Sequence, residues 1–255
     1  MHKLSVTIIA GAEEENIREC LESVRWADEI IVVNNFTDDR TVGIAREYTP
    51  HVFLRMWEGF ASQKRYALEQ ATHEWVLSID ADERISPELK DEILKIISSD
   101  VTYNGFRIPR RSYFLNQWIK SCGWYPGYQL RLFRRKSVHM NDRLVHERFE
   151  VDGVIGTLVG DIIHYTHSSI KTTIQKVNEY SSLRAAEKYQ KQKISTAGLI
   201  FRPFLAFLQM LIVRKGYRDG VRGVMVSLIH AITHALTMMK MWELQHSSLP
   251  GKKPQ

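Results

Sequence analysis

The run Trp75-Val76-Leu77-Ser78-Ile79-Asp80-Ala81-Asp82-Glu83 limits what this chain can fold into more than any other stretch. Four of its first five residues are apolar, without the alternation of a half-wet strand. Such a strand is buried on both faces, as in a parallel sheet with helices above and below. The acids then stand at its carboxyl end. In open α/β sheets that edge binds ligands, and two carboxylates flanking a small Ala81 can share a hard divalent cation and its phosphate oxygens. Asp-Ala-Asp-Glu is equally an ordinary turn out of a strand, because Asp favours turns, so the surrounding pattern has to decide.

That pattern alternates strands with helices. Residues 4–10 form a β-branched strand, and 13–24 place Ile17, Cys20, Leu21 and Val24 on one helical face. A second apolar strand spans 29–33, followed by a polar loop over 34–39 and a helix over 40–48 that Thr37, Asp38 or Asp39 can cap. A short strand at 51–55 and a helix at 59–71 lead into the acid-ended strand. Ser86 and Pro87 then start a helix as N-cap and first residue, with Leu89, Ile93, Ile96 and Ile97 as its buried stripe. Right-handed crossovers fold such a series into a doubly wound parallel sheet. From Tyr103 the pattern changes to short strands rich in Arg and aromatics, at 105–108, 128–134 and 154–165, expected to complete the sheet and wall a second pocket. Residues 168–192 return to helix, with Ile170, Ile174 and Val177 on the inner face.

Composition narrows the classes. The 255 residues are 44% hydrophobic and 25% charged, proportions of a globular protein that indicate neither disorder nor a membrane-embedded bundle. A net charge of +6 suits an anionic partner such as a nucleotide or a membrane surface, or simply a solvated exterior. The interleaved basic and aromatic motifs of nucleic-acid modules are missing, so no nucleic-acid partner is expected. Cys20 and Cys122 make neither a disulfide framework nor a Cys-x-x-Cys site, which fits a reduced, cytoplasmic setting. The chain enters a strand at once, and no signal peptide is expected.

The turn after the first strand, Ala10-Gly11-Ala12-Glu13-Glu14-Glu15, lacks the glycines of a dinucleotide fingerprint, and its glutamates repel a pyrophosphate. No Walker lysine follows. What fits is a nucleotide held by side chains at the sheet edge, its diphosphate bridged by a metal to Asp80 and Asp82.

This combination resembles the family-2 inverting glycosyltransferases of the GT-A fold. The similarity runs in order through Leu4-Ser5-Val6-Thr7-Ile8-Ile9, Glu13-Glu14-Glu15-Asn16-Ile17, Cys20-Leu21-Glu22-Ser23-Val24, Trp26-Ala27-Asp28-Glu29-Ile30-Ile31-Val32-Val33, Asp39-Arg40-Thr41 and the acid-ended strand. Gly59-Phe60, Gln63-Lys64, Ala67-Leu68, Gly123-Trp124-Tyr125-Pro126, Arg131-Leu132-Phe133-Arg134-Arg135 and Val145-His146-Glu147 are similar to a narrower group, the bacterial lipopolysaccharide core β-glucosyltransferases. The resemblance implies a GT-A type Rossmann-like α/β sheet with helices on both faces, followed by C-terminal amphipathic helices. It implies a UDP-sugar donor, Mg²⁺ or Mn²⁺ near Asp80 and Asp82, and a base across the sugar, for which Glu147 is the candidate. Glu13 and Asn34 stand where the family holds base and ribose, and Gln63 and Lys64 open a helix near the nucleotide, where a lysine can meet phosphate. His164 or His146 can add a metal ligand, against the alternative of a structural histidine. Trp124, Tyr125 and Arg131 can face a phosphorylated acceptor, or serve as core aromatics and a strand arginine.

Three departures stand out: Ala12 replaces the usual Asn, Asn34 the usual Asp, and Gly127 an expected Asp. The implied function is a metal-dependent inverting transfer of a hexose, glucose foremost, to a lipid-linked acceptor such as a lipopolysaccharide core. The alternative is a catalytically weakened sugar-nucleotide-binding or scaffold protein of the same fold. The expected organisation is a catalytic domain over 1–195, with a nucleotide-sugar half to residue 100 and an acceptor half beyond it. Amphipathic helices over 196–244 and a disordered tail over 245–255 follow. Residues 204–213 and 221–241 are too interrupted by Arg202, Arg214, Lys215, Arg218, Asp219 and Arg222 for spans of about twenty residues. They suit an interfacial pair on the cytoplasmic face of the inner membrane, facing anionic headgroups, or helices packed within a protein.

Overall fold

The structure, a computed structural model, describes residues 2–140, 148–167 and 169–246. The chain divides into two compact units, one of Met1–Ser112 with Tyr125–Thr166, the other of Tyr113–Trp124 with the chain from His167 onward.

The first unit begins with β1 (Leu4–Ala10), α1 (Ile17–Val24), β2 (Glu29–Asn34), α2 (Thr41–Arg46), β3 (Val52–Leu54), α3 (Phe60–Gln70) and β4 (Trp75–Asp80). There follow β5 (Glu83–Ile85), α4 (Pro87–Ser98), β6 (Gly105–Ile108), β7 (Arg110–Phe114), β8 (Gln117–Trp118) and β9 (Gln129–Arg134), with β7 running on into the second unit and β8 lying there. β10 (Val138–Met140), β11 (Phe149–Val151), β12 (Ile155–Thr157) and β13 (Ile162–His167) complete the strands. The main sheet has the order β12-β6-β9-β4-β1-β2-β3. β3, β2, β1 and β4 are parallel, and β9 enters antiparallel beside β4. Trp75, Val76, Leu77 and Ile79 of β4 are inaccessible to solvent, as a strand covered on both faces requires. Val6, Ile8, Leu77 and Ile79 pack with Ile17, Leu21, Leu89 and Ile93 on one face, and Val76 and Phe133 with Ala67 on the other. Ser86 caps α4 by accepting from the Leu89 amide at 3.2 Å, with Pro87 at its first position. The span expected as one strand at 154–165 breaks into β12 and β13, because Val159-Gly160-Asp161 turns against α4. Glu92 there accepts from the Val159 and Gly160 amides.

In the second unit α5 (Ile170–Lys188), α6 (Thr196–Leu208) and α7 (Gly220–His246) accompany the β7–β8 hairpin. Ile170 and Ile174, expected on the inner face of α5, are exposed, and the buried stripe is Thr173, Val177, Ser181 and Ala185. The reason is that α7 packs on α5, Lys240 reaching Ser181, and the face so covered is that of Thr173, Val177, Ser181 and Ala185. Lys240 then donates to Ser181 Oγ at 2.8 Å and to the Asn178 carbonyl at 2.6 Å. α6 starts eight residues before the expected apolar stretch and passes into a π-helical segment, Gln209–Val213. Thr196–Val213 and Gly216–His246 are thus long and apolar enough to cross a membrane by length and composition, which corrects the count made from 204–213 and 221–241 alone. α7 runs through His246, two residues into the segment expected as a tail, with Gln245 donating to the Tyr189 and Gln192 carbonyls.

A Cβ on Gly160 would lie 2.5 Å from the Leu89 backbone nitrogen and Cα, so Gly160→Ala forces the turn off α4. The expected cost is about 1–3 kcal/mol, measurable as a lower urea midpoint with unchanged slope. In the second unit, burial first, then His234 and Arg184, push His230 down to about 4. The folded state therefore keeps His230 neutral while the unfolded chain takes up a proton below its ordinary value near 6.5. Stability is fully present above that value and falls as pH drops towards 4. Thermal melts from pH 7.5 to 4.5 are expected to show this loss, and His230→Gln to reduce it.

Candidate active site

Parallel strands in the order 3-2-1-4 leave a crevice where the connections from β1 and β4 diverge, at their carboxyl ends. β1 ends there at Ala10, β2 at Asn34 and β4 at Asp80.

On the β1–β2 side the polar groups hold one another. Asn34 is fully buried and its Nδ2 donates to the Ala10 and Gly11 carbonyls at 3.2 and 3.1 Å, while its Oδ1 accepts from the Thr37 amide at 3.1 Å. A carboxylate at this position would set its charge against two carbonyls, so the amide explains why Asn stands here. Asp39 accepts from Thr37 Oγ1 at 2.8 Å and Thr41 Oγ1 at 2.7 Å. Burial would raise its carboxyl, but these hydrogen bonds outweigh burial and hold it below its ordinary value. Glu13 is a local cap: its amide donates to Thr41 Oγ1 and its Oε2 accepts from Asn16 Nδ2. Gln63 is buried on α3 with Nε2 donating to the Arg55 and Met56 carbonyls, so it fastens the turn before the helix.

On the β4 side lies a cluster of opposed charges. Asp80 Oδ2 accepts from Arg131 at 2.7 Å and Oδ1 faces Lys64 Nζ at 3.2 Å. Against the burial that would raise it, Arg131 and then Lys64 hold the Asp80 carboxyl far below the usual carboxylate range. Glu83 has no exposed surface. It accepts from Arg131 at 3.0 Å and from the Asp80 amide at 3.0 Å, and Arg110 approaches it at 3.6 Å. Arg131, 5% exposed on β9, thus bridges the buried Glu83 and the half-buried Asp80, and burial is overcome by Asp80 and Glu83 in keeping it charged.

β5 brings in a partner from far along the chain. It pairs antiparallel with β13 in a register that sets His164 opposite Glu83, and the Tyr165 amide donates to the Asp82 carbonyl at 3.0 Å. His164 Nε2 consequently sits 3.3 Å from Asp82 Oδ2, while Nδ1 is 3.3 Å from Ser112 Oγ. Cis ligands on an octahedral ion with bonds of about 2.1 Å stand about 3 Å apart, so this oxygen and nitrogen have the spacing of two positions on Mg²⁺ or Mn²⁺. Such ions leave their other positions to water and phosphate oxygens. Among the described residues no three His, Cys, Asp or Glu side chains converge as a metal cluster. Asp80 faces Arg131 and Lys64, and among the described residues Asp82 and His164 have the mutual spacing of two ligands on such an ion.

Of the residues singled out from sequence, the structure brings together Lys64, Asp80, Asp82 and His164, and places Glu13, Asn34 and Gln63 in the supporting loops. Glu147 and His146 lie outside the described residues. Arg131, expected to face an acceptor or to be an ordinary strand residue, is the counter-ion of the acid run. Glu83, Arg110 and Ser112 were missed. The available signal was Arg131 itself, a charge within the apolar run Leu130-Arg131-Leu132-Phe133, which demands a buried carboxylate.

Residues 5–153 match the model of glycosyl transferase family 2. The chain is 29% identical to the lipopolysaccharide core biosynthesis glycosyltransferase LpsC of Rhizobium meliloti, over 94% of this chain and 92% of that protein. It is 33% identical to an uncharacterized glycosyltransferase of Rickettsia typhi, over 97% of this chain and 89% of the other. A mannosyltransferase from Pyrobaculum calidifontis, solved with GDP-Man and Mn²⁺, shares the fold at a TM-score of 0.53 and 15% identity, covering 95% of this chain and 88% of that one.

Arg131→Met leaves the buried Glu83 and the half-buried Asp80 without their shared cation. The expected loss is about 3–5 kcal/mol, read from urea unfolding, and Glu83→Gln in the same chain should recover part of it.

Proposed function

The chain belongs to glycosyltransferase family 2, and from that premise we propose that it transfers a hexose, glucose foremost, from a UDP-sugar to a lipid-linked glycan acceptor such as a lipopolysaccharide core. The reaction inverts the sugar and uses Mg²⁺ or Mn²⁺. The observation that carries this reading is the pairing of Asp82 with His164 beside an Asp80 already matched by Arg131 and Lys64. Arg131, Lys64 and Arg110 balance Asp80, Asp82 and Glu83, so the cluster has little positive charge left for a diphosphate. Asp82 and His164 would hold a divalent cation, which would supply that positive charge as a Lewis acid for the leaving diphosphate. Ser112 fixes the His164 ring through Nδ1, the outer contact that orients a metal-binding imidazole. Lys64, at the crevice, is the side chain of this chain placed to meet a phosphate oxygen. Deprotonation of the acceptor hydroxyl is assigned to Glu147, a carboxylate being suited to that task.

The similarity to LpsC supports the acceptor class, and the exposed apolar residues of α6, among them Phe201 and Phe204, support work at a membrane surface. The interfacial setting, on the cytoplasmic face, is preferred to spanning because Arg202 interrupts the first segment and Arg218 and Arg222 the second. A second reading, a sugar-nucleotide-binding protein with weakened catalysis, draws on Asn34, whose amide is engaged by the Ala10 and Gly11 carbonyls.

A screen of UDP-sugars with lipopolysaccharide-core acceptors, read as UDP release, separates the two. Turnover that EDTA abolishes and Mn²⁺ restores is expected. Asp82→Ala should lower turnover more than about a hundredfold and Ser112→Ala by about tenfold or more. Full activity of Asp82→Ala overturns the metal mechanism, and calorimetric binding of UDP with Mn²⁺ but no turnover on any acceptor favours the second reading.

A further inference from the structure

The three helices of the second unit enclose a cleft of about 310 Å³ with no acidic residue in its lining. Arg184 and Lys188 enter it from α5, Arg202 from α6 and His234 from α7, while Leu205, Met238 and Met241 form an apolar side. Among the described residues Arg184 makes no ion pair, and its Nε is buried without an acceptor. The Gln192 amide oxygen, oriented by its surroundings, accepts from Arg202 at 3.0 Å, a neutral partner that leaves the guanidinium charge uncompensated. Glu187, the nearest acid along α5, keeps Oε2 buried and unpaired. A pocket that gathers three cations without a carboxylate has the composition of an anion site, and planar guanidinium groups suit phosphate in particular.

Its surroundings say which phosphate. Leu205 lines the cleft and is 58% exposed, continuous with Ile200, Phe201 and Phe204 on α6, each at least 58% exposed. A ligand seated here has its charge among Arg184, Lys188 and Arg202 and its hydrocarbon along Leu205, Met238 and Met241.

We propose that this cleft binds the phosphate headgroup of an anionic lipid, docking a single lipid where the apolar face of α6 meets the membrane surface. The site lies within the second unit and does not depend on the transfer reaction, so it stands or falls apart from the activity. His234 reports on it. Burial first, then Arg184 and Lys188, hold its imidazole below its ordinary value, and the His230 ring lies tilted against it with centroids 4.7 Å apart. A bound phosphate offsets those two cations and raises His234.

The experiment follows the His234 imidazole by NMR titration of the full chain, its signal assigned by loss in His234→Gln. The probes are dihexanoyl phosphatidic acid, dihexanoyl phosphatidylcholine and inorganic phosphate, each below micelle formation. Phosphatidic acid should shift His234 upward and saturate. Inorganic phosphate should bind at least about tenfold more weakly, because the apolar side contributes only to the lipid. The choline lipid should leave the signal in place. Arg184→Gln and Arg202→Gln should each weaken phosphatidic acid binding by about tenfold or more. Lys188→Gln, at an exposed position that does not endanger folding, should weaken it by about fivefold, and Lys171→Gln on the first turn of α5 should have no effect. A His234 signal unmoved by phosphatidic acid overturns the proposal. So does equal affinity for inorganic phosphate, which removes the lipid, or an equal loss from Lys171→Gln, which reduces binding to general surface charge.

Discussion

Arg131 between Asp80 and Glu83 is the contact on which the site depends. A guanidinium with 5% exposure and a carboxylate with none are unfavourable to bury singly, and each is tolerable only through the other. Glu83 also accepts from the Asp80 amide, so one buried acid orients both the arginine and the backbone of the first acid in the run. The strand β9 that carries Arg131 lies antiparallel to β4, on the side away from β1. The switch from parallel to antiparallel strands thus places the cation across from the acids. With Asp80 held in this way, Asp82 is turned to β13 and His164.

The second unit follows a different rule. α5 buries Thr173, Val177, Ser181 and Ala185, and α7 buries Gly223, Ser227 and Ala231 beside Val226, Met238 and Met241, with Gly223 and Ser227 set against Gly216 and Cys122. The large apolar residues that a self-contained bundle would turn inward are left outside: Phe201, Phe204, Leu205, Val221 and Leu228 are all more than half exposed. Contiguous apolar surface of this kind marks an interaction face.

Much of the first unit could be read from the chain because its signals are local. β1, β2 and β4 are mostly apolar runs, and Ser86-Pro87 marks the start of α4 through cap chemistry alone. The acid pair at the end of β4 was equally open to reading, since strand order follows from the crossover rule. What could not be read are relations between distant residues. His164 was a candidate, but its neighbour Asp82 lies 82 positions earlier and the two meet only through the β5–β13 register. Ser112 and Arg110 join the cluster from β7, and no spacing in the sequence announces them. Ile170 and Ile174 misled for the opposite reason: apolar periodicity assigns the large residues to the inner face, whereas α5 buries Thr173, Val177, Ser181 and Ala185.

The same distinction bears on Asn34, one of the three departures from the family pattern. Taken from a motif, the loss of a carboxylate removes an acceptor from the nucleotide side. In the fold the position is fully buried at the ends of β1 and β2, where the Ala10 and Gly11 carbonyls both point at it. An amide satisfies them, and an ionised carboxylate would be repelled unless the loop opened. The loop does retain an acid, Asp39, which Thr37 and Thr41 keep ionised. Thr37 contacts Asn34 on one side and Asp39 on the other, so the amide and the carboxylate form one hydrogen-bonded unit. Asn34 in this chain is therefore a condition for closing the loop in its present form, and its presence is not by itself a mark of lost function.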